Sequence, residues 1–418
     1  MEAKLSKRGK KLRAKTFPFG IVIAAVCGGV VALLQNPYGQ FSDIRGFYGM
    51  HFSDGQNQWP FSYHTLSGTD IERHPVEYPA ITGLIMWLIS FLVPLSEDAV
   101  VNYYSITAFF NIILFAGSAY ILRKFCADKI VYLYALAPAV LYSLHRNWDI
   151  WALVPMLLSL MYFEKGKYHT SAVWLSVAIA TKFFPIVLFL PISVFLLRQN
   201  KYSRLLLYFL HTALYWFLIN APFMIINFEG WAYFYRFSFE RGYGGGSVYE
   251  LFSKLGIGFN VSPSMFYLLN LSLFIFIGFI LFYLKPPVAA IQGAFLALFA
   301  FTLFNKQYSM QYVIWLAPFA AICISALGRK LQLRTIRAYL AWQATEFLFQ
   351  YAFFQNILTN TGKSQGIQLA TIEFSEIEYG LASAMRYLTF LTFVIILIHA
   401  NLAQAKLRNL HKLGRRET

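Results

Sequence analysis

Residues 80–95 read AITGLIMWLISFLVPL, an apolar run without a charge, and whether it crosses a membrane decides the topology of the entire chain. A spanning helix needs about 20 apolar residues to cover roughly 30 Å of hydrocarbon. This run is short of that, and the charges around it settle its reading. If it spans, Arg123, Lys124 and Lys129 fall outside and every later loop changes side. If it lies in the outer interface or re-enters, the short basic segments all fall inside: 1–16, 123–129, 164–168, 198–204, 285–287, 328–337 and 401–418. These segments carry 25 of the 35 lysines and arginines, but only Glu2, Asp128, Glu164 and Glu417 of the 19 acids. Basic loops stay on the cytoplasmic side, so 80–95 is expected to lie in the membrane surface and both termini are expected inside.

Working outward, the composition agrees with a membrane chain. Of the 418 residues, 58% are hydrophobic and 13% charged, and the mean hydropathy is +0.52. A soluble domain has about 45–50% apolar and about 25% charged residues. Tyr, Trp and Phe make up 19% of the chain; Tyr and Trp favour membrane interfaces. The net charge of +16 would suggest a nucleic-acid partner in a soluble protein. Here it is concentrated on the cytoplasmic face, and no nucleic-acid partner is expected.

Twelve spans are predicted, over 17–35, 100–122, 129–144, 149–163, 169–182, 184–197, 205–226, 263–284, 287–304, 309–327, 337–357 and 379–400. Met1 to Lys15 holds seven Lys and Arg ahead of the first run. That start resembles a signal peptide, but the run is long enough to span and lacks a small-x-small cleavage site, so an uncleaved first helix is expected. Cys27, Cys126 and Cys323 all fall outside the external segments, so no structural disulfide is expected. The chain reads as a single transmembrane domain, 1–418, with no internal repeat and no separate soluble unit. A first external loop covers 36–102, a second 227–263 and a shorter one 359–378. Long loops on a rigid helical frame are where function concentrates.

Each external segment carries polar residues that fit chemistry or plain structure. Asp43 follows the first span among aromatics; it is either a solvated loop acid or a carboxylate whose pKa an apolar border raises, suited to general-base work. Glu77, between Pro75 and Pro79, either caps the following helix or binds a hydroxyl. The turn His145-Arg146-Asn147-Trp148-Asp149 holds more polar groups than a turn needs, although Asp149 also suits a helix start. Lys182, in Ala180-Thr181-Lys182-Phe183-Phe184-Pro185, sits on the side the positive-inside rule disfavours. It either snorkels or binds a phosphate. Arg236 and Arg241 flank Gly242-Tyr243-Gly244-Gly245-Gly246-Ser247, which lacks the Gly-Lys-Ser/Thr ending of a nucleotide loop. Asn305-Lys306-Gln307-Tyr308-Ser309-Met310-Gln311-Tyr312 is a polar tip between two apolar helices. His51, His64 and His74 share the first loop, but their spacing matches no metal cluster.

Taken in order, these segments resemble a known family. Asp43, Glu77-Tyr78-Pro79, Asn147-Trp148-Asp149, Ala180 to Pro185, Arg236…Glu240-Arg241-Gly242…Gly246-Ser247, and Asn305-Lys306…Ser309…Gln311-Tyr312…Trp315-Leu316…Pro318 are similar to the actinobacterial glycosyltransferase family 87 proteins, which are polyprenol-phosphate-mannose-dependent mannosyltransferases. The resemblance runs from about residue 37 to 320; the tail beyond 330 matches no pattern. It implies a GT-C fold, all-α and polytopic, in the plasma membrane, with its active site facing outside. It implies inverting transfer of a sugar, mannose in that family, from a polyprenyl-phosphate donor to a glycolipid or glycan acceptor, without a metal or other cofactor. The acid of the first outer loop, here Asp43, would be the catalytic base. Lys182 and Arg241, with Arg236 and Lys306 behind them, would meet the donor phosphate. Glu77, Asp149, Asn305, Gln307, Gln311 and His145 would hold sugar or acceptor.

A transporter or flippase for a lipid-linked sugar is the competing reading, and a non-catalytic scaffold a third. A transporter places its key polar groups near the bilayer midplane, often on paired broken helices. Glu346 and Gln350 are the main mid-helix candidates here, whereas the other motifs lie at the outer boundary.

Overall fold

In lipid every backbone N–H and C=O must find a partner within the protein, and helices provide this locally. The computed structural model describes residues 19–36, 42–65, 70, 72–258, 262–283 and 290–413. The basic segment 1–16, the loop 285–287, Phe41 and the end of the basic tail, all used in the sequence reading, lie outside these residues.

The described residues are mostly helical, and a helix or helix pair lies over each of the twelve predicted spans. The first part runs α1 (Phe19–Gln35), α2 (Asp43–His51), α3 (Ala80–Ser90), α4 (Ala99–Leu122), α5 (Asp128–Ala135), α6 (Pro138–Ser143), α7 (Asp149–Glu164) and α8 (Tyr168–Thr181). It continues with α9 (Phe189–Leu197), α10 (Tyr202–Ile226), α11 (Phe228–Glu240), α12 (Val248–Lys254), α13 (Pro263–Tyr283) and α14 (Ala290–Leu303). The chain closes with α15 (Val313–Ser325), α16 (Arg329–Gln365) and α17 (Glu376–Leu413). By length and composition, Ala99–Leu122, Tyr202–Ile226, Ser264–Tyr283 and Glu376–Gln404 can each cross a membrane alone. Leu206, Leu210, Leu214 and Phe217 on α10, and Leu268, Leu271, Ile275 and Phe279 on α13, project outward as a surface suited to lipid.

Prolines account for the departures from single straight spans. The predicted span 129–144 is split into α5 and α6 at Leu136–Ala137, because Pro138 at the start of α6 has no N–H to continue the earlier ladder. A 3-10 turn over Phe184–Leu188, with Pro185 near its start, precedes α9. The stretch that decided the topology forms α3, which has 11 residues, against 14 for the short runs α8 and α14. Its helical length is about 16 Å at 1.5 Å per residue, roughly half a hydrocarbon core. Thr82 on α3 donates to the carbonyl of Thr181 at the end of α8 (2.5 Å), so α3 is docked beside Lys182.

Helix α15 runs through the centre, with Val313 to Ile324 all buried. The two long C-terminal helices pack along each other. The segment between α1 and α4 contains α2, α3 and a small antiparallel ribbon that pairs β1 (His64–Thr65) with β2 (Glu72–Arg73). It meets the junction of α10 and α11 through Trp59 and Phe61, whose rings lie 5.9 and 5.3 Å from that of Phe223. Gly230 sits at this contact. The Asn227 side chain caps α11 by accepting from its N–H (2.9 Å), and a Cβ there would collide with the Phe61 backbone carbonyl. A backbone atom held by its own loop cannot yield cheaply. Gly230→Ala is therefore expected to destabilise the protein by about 1–3 kcal/mol, read as a lower melting temperature in detergent. An unchanged melting temperature would contradict this packing.

Candidate active site

The starts of α2 and α7 and the ends of α8, α11 and α14 meet around one open cavity of about 770 Å³. Asp43, Glu77, Asp149, Lys182, Arg241, Asn305, Lys306, Gln307 and Gln311 all line it. Residues that the sequence spreads across more than 260 positions thus share one wall system.

Asp43 is the first residue of α2, where the helix dipole favours an anion. The preceding Ser42 makes no cap. Its hydroxyl donates instead to the carbonyl of His145 (3.0 Å), pinning the start of α2 to the turn before α7. The Asp43 side chain is reachable from the cavity, yet protein crowds the cavity on most sides. That crowding raises its pKa above the ordinary carboxylate value, and nearby Asp149 adds to the rise. Lys182, the Asn147 side chain and Arg146 pull it part of the way back. Glu77 is also raised, first by burial and then by Asp43, with Arg241 and His74 opposing.

Asp149 is fully buried and both its oxygens are occupied. Trp315 Nε1 donates to one (2.8 Å), and Lys182 Nζ lies 3.2 Å from the other. Its own N–H donates to Asn147 Oδ1 (2.9 Å). The Lys182 ammonium also sits 4.4 Å from the centre of the Tyr78 ring. Lys182 therefore links Asp149, Tyr78 and the electrostatics of Asp43. This arrangement leaves Asp149 as an anchor rather than a free ligand for a hydroxyl.

Two other cations, Lys306 and Arg241, line the same cavity. Lys306 Nζ donates to the Phe239 carbonyl (2.8 Å), and its pKa is lowered by burial and by the neighbouring Arg241. Arg241 follows the end of α11 and is exposed to the cavity. Gln307 Nε2 donates to the Gly242 carbonyl (3.1 Å), and Gly244 N–H to the Lys306 carbonyl (3.0 Å). The glycine loop and the polar tip 305–311 are thereby joined edge to edge.

Two predicted residues lie elsewhere. Arg236, inside α11, points to the surface and pairs with Glu229 at 2.6 Å, half exposed. His145 is fully buried and its Nε2 donates to the Gly28 carbonyl of α1 (2.9 Å). Burial lowers its pKa to about 4, so it stays neutral and serves as a tie between helices.

The cavity also contains residues the sequence reading did not select. Arg146 lines it, its guanidinium 4.7 Å from the Tyr142 ring and 4.1 Å from that of Phe354. The signal was present: like Lys182, it is a cation on the expected outer side. Phe349, Phe353 and Phe354 of α16 also line it, so one of the two long C-terminal helices contributes to the site.

Fold and site together define a polytopic helical membrane protein with a large, charged, aromatic-walled cavity at the ends of its helices. No protein-family model matches the chain, and no curated protein matches it. Among solved structures, ArnT from Cupriavidus metallidurans in the apo state aligns over 92% of this chain and 77% of its own, at 14% identity and a TM-score of 0.47. The same protein bound to undecaprenyl phosphate aligns over 91% and 77%, at 14% identity and a TM-score of 0.43. Likenesses at this level do not carry a function, and the reading that follows rests on the cavity.

Proposed function

We propose that this protein is an integral membrane glycosyltransferase of the GT-C type, moving a sugar from a polyprenyl-phosphate donor to a glycolipid or glycan acceptor on the non-cytoplasmic face. The observation that carries this reading is the convergence of a reachable carboxylate, Asp43, with a pair of cations, Arg241 and Lys306, in a cavity walled by aromatic rings. A lipid phosphate needs cations at a border with apolar surface, and Phe239 and Tyr267 beside Lys306 supply that surface.

In the proposed reaction, Asp43 accepts the proton of an acceptor hydroxyl as the oxygen forms a bond to the anomeric carbon. The bond from that carbon to the phosphate oxygen breaks on the opposite side, with inversion. Polyprenyl phosphate leaves with the electron pair, and Arg241 and Lys306 offset its added charge. Lys182 tunes Asp43 and holds Asp149. Asn305, Gln307 and Gln311, which line the same cavity, would hold sugar hydroxyls, and Glu77 offers a further acceptor. Mannose is the sugar that the family 87 motifs favour, and the plasma membrane with both termini inside is the orientation that the basic loops favour.

Arg241 and Arg236 separate this reading from a diffuse electrostatic effect. Arg241→Gln is expected to raise the donor KM at least about tenfold, the scale of one charge-assisted contact. Arg236→Gln, altering an exposed surface pair, should change it less than about twofold. Equal effects of the two variants in a transfer assay with labelled polyprenyl-phosphate mannose would remove the phosphate site from this wall.

A further inference from the structure

Helices α16 and α17 enclose an ion pair that the proposed reaction does not use. Arg386 Nε lies 2.9 Å from Glu346 Oε2, and neither side chain has any exposed surface. Burying two charges within membrane helices is costly, and such pairs persist where they serve structure or function. The Arg386 guanidinium lies between two rings, 3.4 Å from the centre of Tyr308 and 4.0 Å from that of Phe349. Glu346 Oε2 also accepts from Tyr308 (3.3 Å) and Trp342 (3.2 Å).

The pair points toward the glycine loop. Arg386 Nη1 donates to the Gly246 carbonyl (3.3 Å), and the Tyr387 hydroxyl donates to the same oxygen (3.1 Å). Gly246 N–H donates to Glu250 Oε2 (2.6 Å), which also accepts from Tyr379 of α17 (2.9 Å). Further along α12, Lys254 pairs with Glu376 at the start of α17. Gly246 has φ +76°, and a Cβ there would meet Phe349 Cζ at 2.5 Å and Arg386 Nη1 at 2.6 Å. Only glycine fits that seat. One residue earlier Gly245 lines the cavity, and Gly244 is bridged to Gln307, another lining residue. Arg386 and Glu346 do not line the cavity themselves.

We propose that Arg386, held by Glu346, is a positioning residue: by gripping the Gly246 carbonyl it fixes the loop 242–247 and the attached tip 305–309 as the donor-phosphate wall of the cavity. This inference rests on the glycosyl-transfer reading for the identity of the ligand, but not for the grip itself. Asp43 lies on α2, outside this chain of contacts, so loosening the grip should weaken lipid binding and leave proton transfer intact. A purely apolar pair could pack α16 against α17 equally well; it could not donate to that carbonyl.

The test uses the full chain in nanodiscs, with Arg386→Lys and the milder Tyr387→Phe. Polyprenyl phosphate is the binding probe, amide hydrogen exchange follows residues 242–247 and 305–309, and labelled polyprenyl-phosphate mannose reports transfer from low to saturating donor. Arg386→Lys is expected to weaken polyprenyl-phosphate binding roughly tenfold, as for loss of one hydrogen bond from a charged donor. Exchange should rise in 242–247 and in the attached tip 305–309, with the rise in donor KM exceeding any fall in the saturated transfer rate. Tyr387→Phe should move binding and exchange the same way by a smaller factor, and it decides the matter if Arg386→Lys does not fold. Wild-type exchange and binding in the folded variants would overturn the proposal, as would loss of protection throughout the protein in both. If the wild type transfers no sugar, the transfer reading fails. The grip is then judged by exchange in 242–247 alone, and unchanged exchange there overturns it.

Discussion

Asp43→Asn is expected to leave the protein folded and to remove sugar transfer. The substitution keeps shape and volume, and the side chain faces the cavity rather than the core. The helix-dipole contribution lost at the start of α2 is below about 1 kcal/mol. The effect on chemistry is far larger, since a positioned general base contributes about 10²–10⁴-fold. An amide cannot take the acceptor proton, so transfer should fall by about three orders of magnitude. The raised pKa of Asp43 also predicts the pH profile of the wild type. The base works only when ionised; activity should therefore fall as pH drops through that raised pKa, and level off above it. Full transfer by a folded Asp43→Asn protein would remove this residue from the mechanism.

Lys182→Met should have the second-largest effect, through two separable routes. The first is stability. Asp149 is buried, and without the ammonium at 3.2 Å its carboxylate keeps only the Trp315 N–H. Breaking a buried pair from one side costs on the order of 3 kcal/mol, readable as a lower melting temperature in detergent. The second is catalysis. Lys182 is the strongest influence holding the Asp43 pKa down. Its removal lets that pKa climb, so the acid limb of kcat/KM should move to higher pH. Lys182→Met combined with Asp149→Asn should recover much of the stability, because no buried charge is then left alone. An acid limb unmoved in Lys182→Met would show that Asp43 is not the titrating group.

Much of this arrangement was legible in the sequence because lipid imposes simple rules. Apolar length located the helices, and the basic loops kept 80–95 from being counted as a span. The cavity residues followed, since Asp43, Glu77, Asp149, Lys182, Arg241 and the 305–311 tip all flank spans on one predicted side. What escaped depended on side-chain direction and distant partners. Arg236 and Arg241 are five positions apart, yet one lies within α11 facing outward and the other past its end facing the cavity. Asp149 had the look of a hydroxyl ligand; its partner Trp315 is 166 positions away. His145 shared a polar turn with Arg146, but it turns inward to Gly28 while Arg146 lines the cavity. Glu346 read as an isolated mid-helix acid of the kind a transporter would use. Its Oε2 is instead bonded to Arg386, Tyr308 and Trp342 with no surface exposed.

The most direct test of the account is to reconstitute the wild type and Asp43→Asn in proteoliposomes. They would be given radiolabelled polyprenyl-phosphate mannose, together with a total membrane lipid extract as the source of acceptor. The wild type is expected to move label to a new product and to free one polyprenyl phosphate for each sugar transferred, whereas Asp43→Asn should do neither. Label that stays on the polyprenyl carrier and reaches the opposite leaflet equally well with both proteins would contradict it, and would make the protein a carrier of lipid-linked sugar instead.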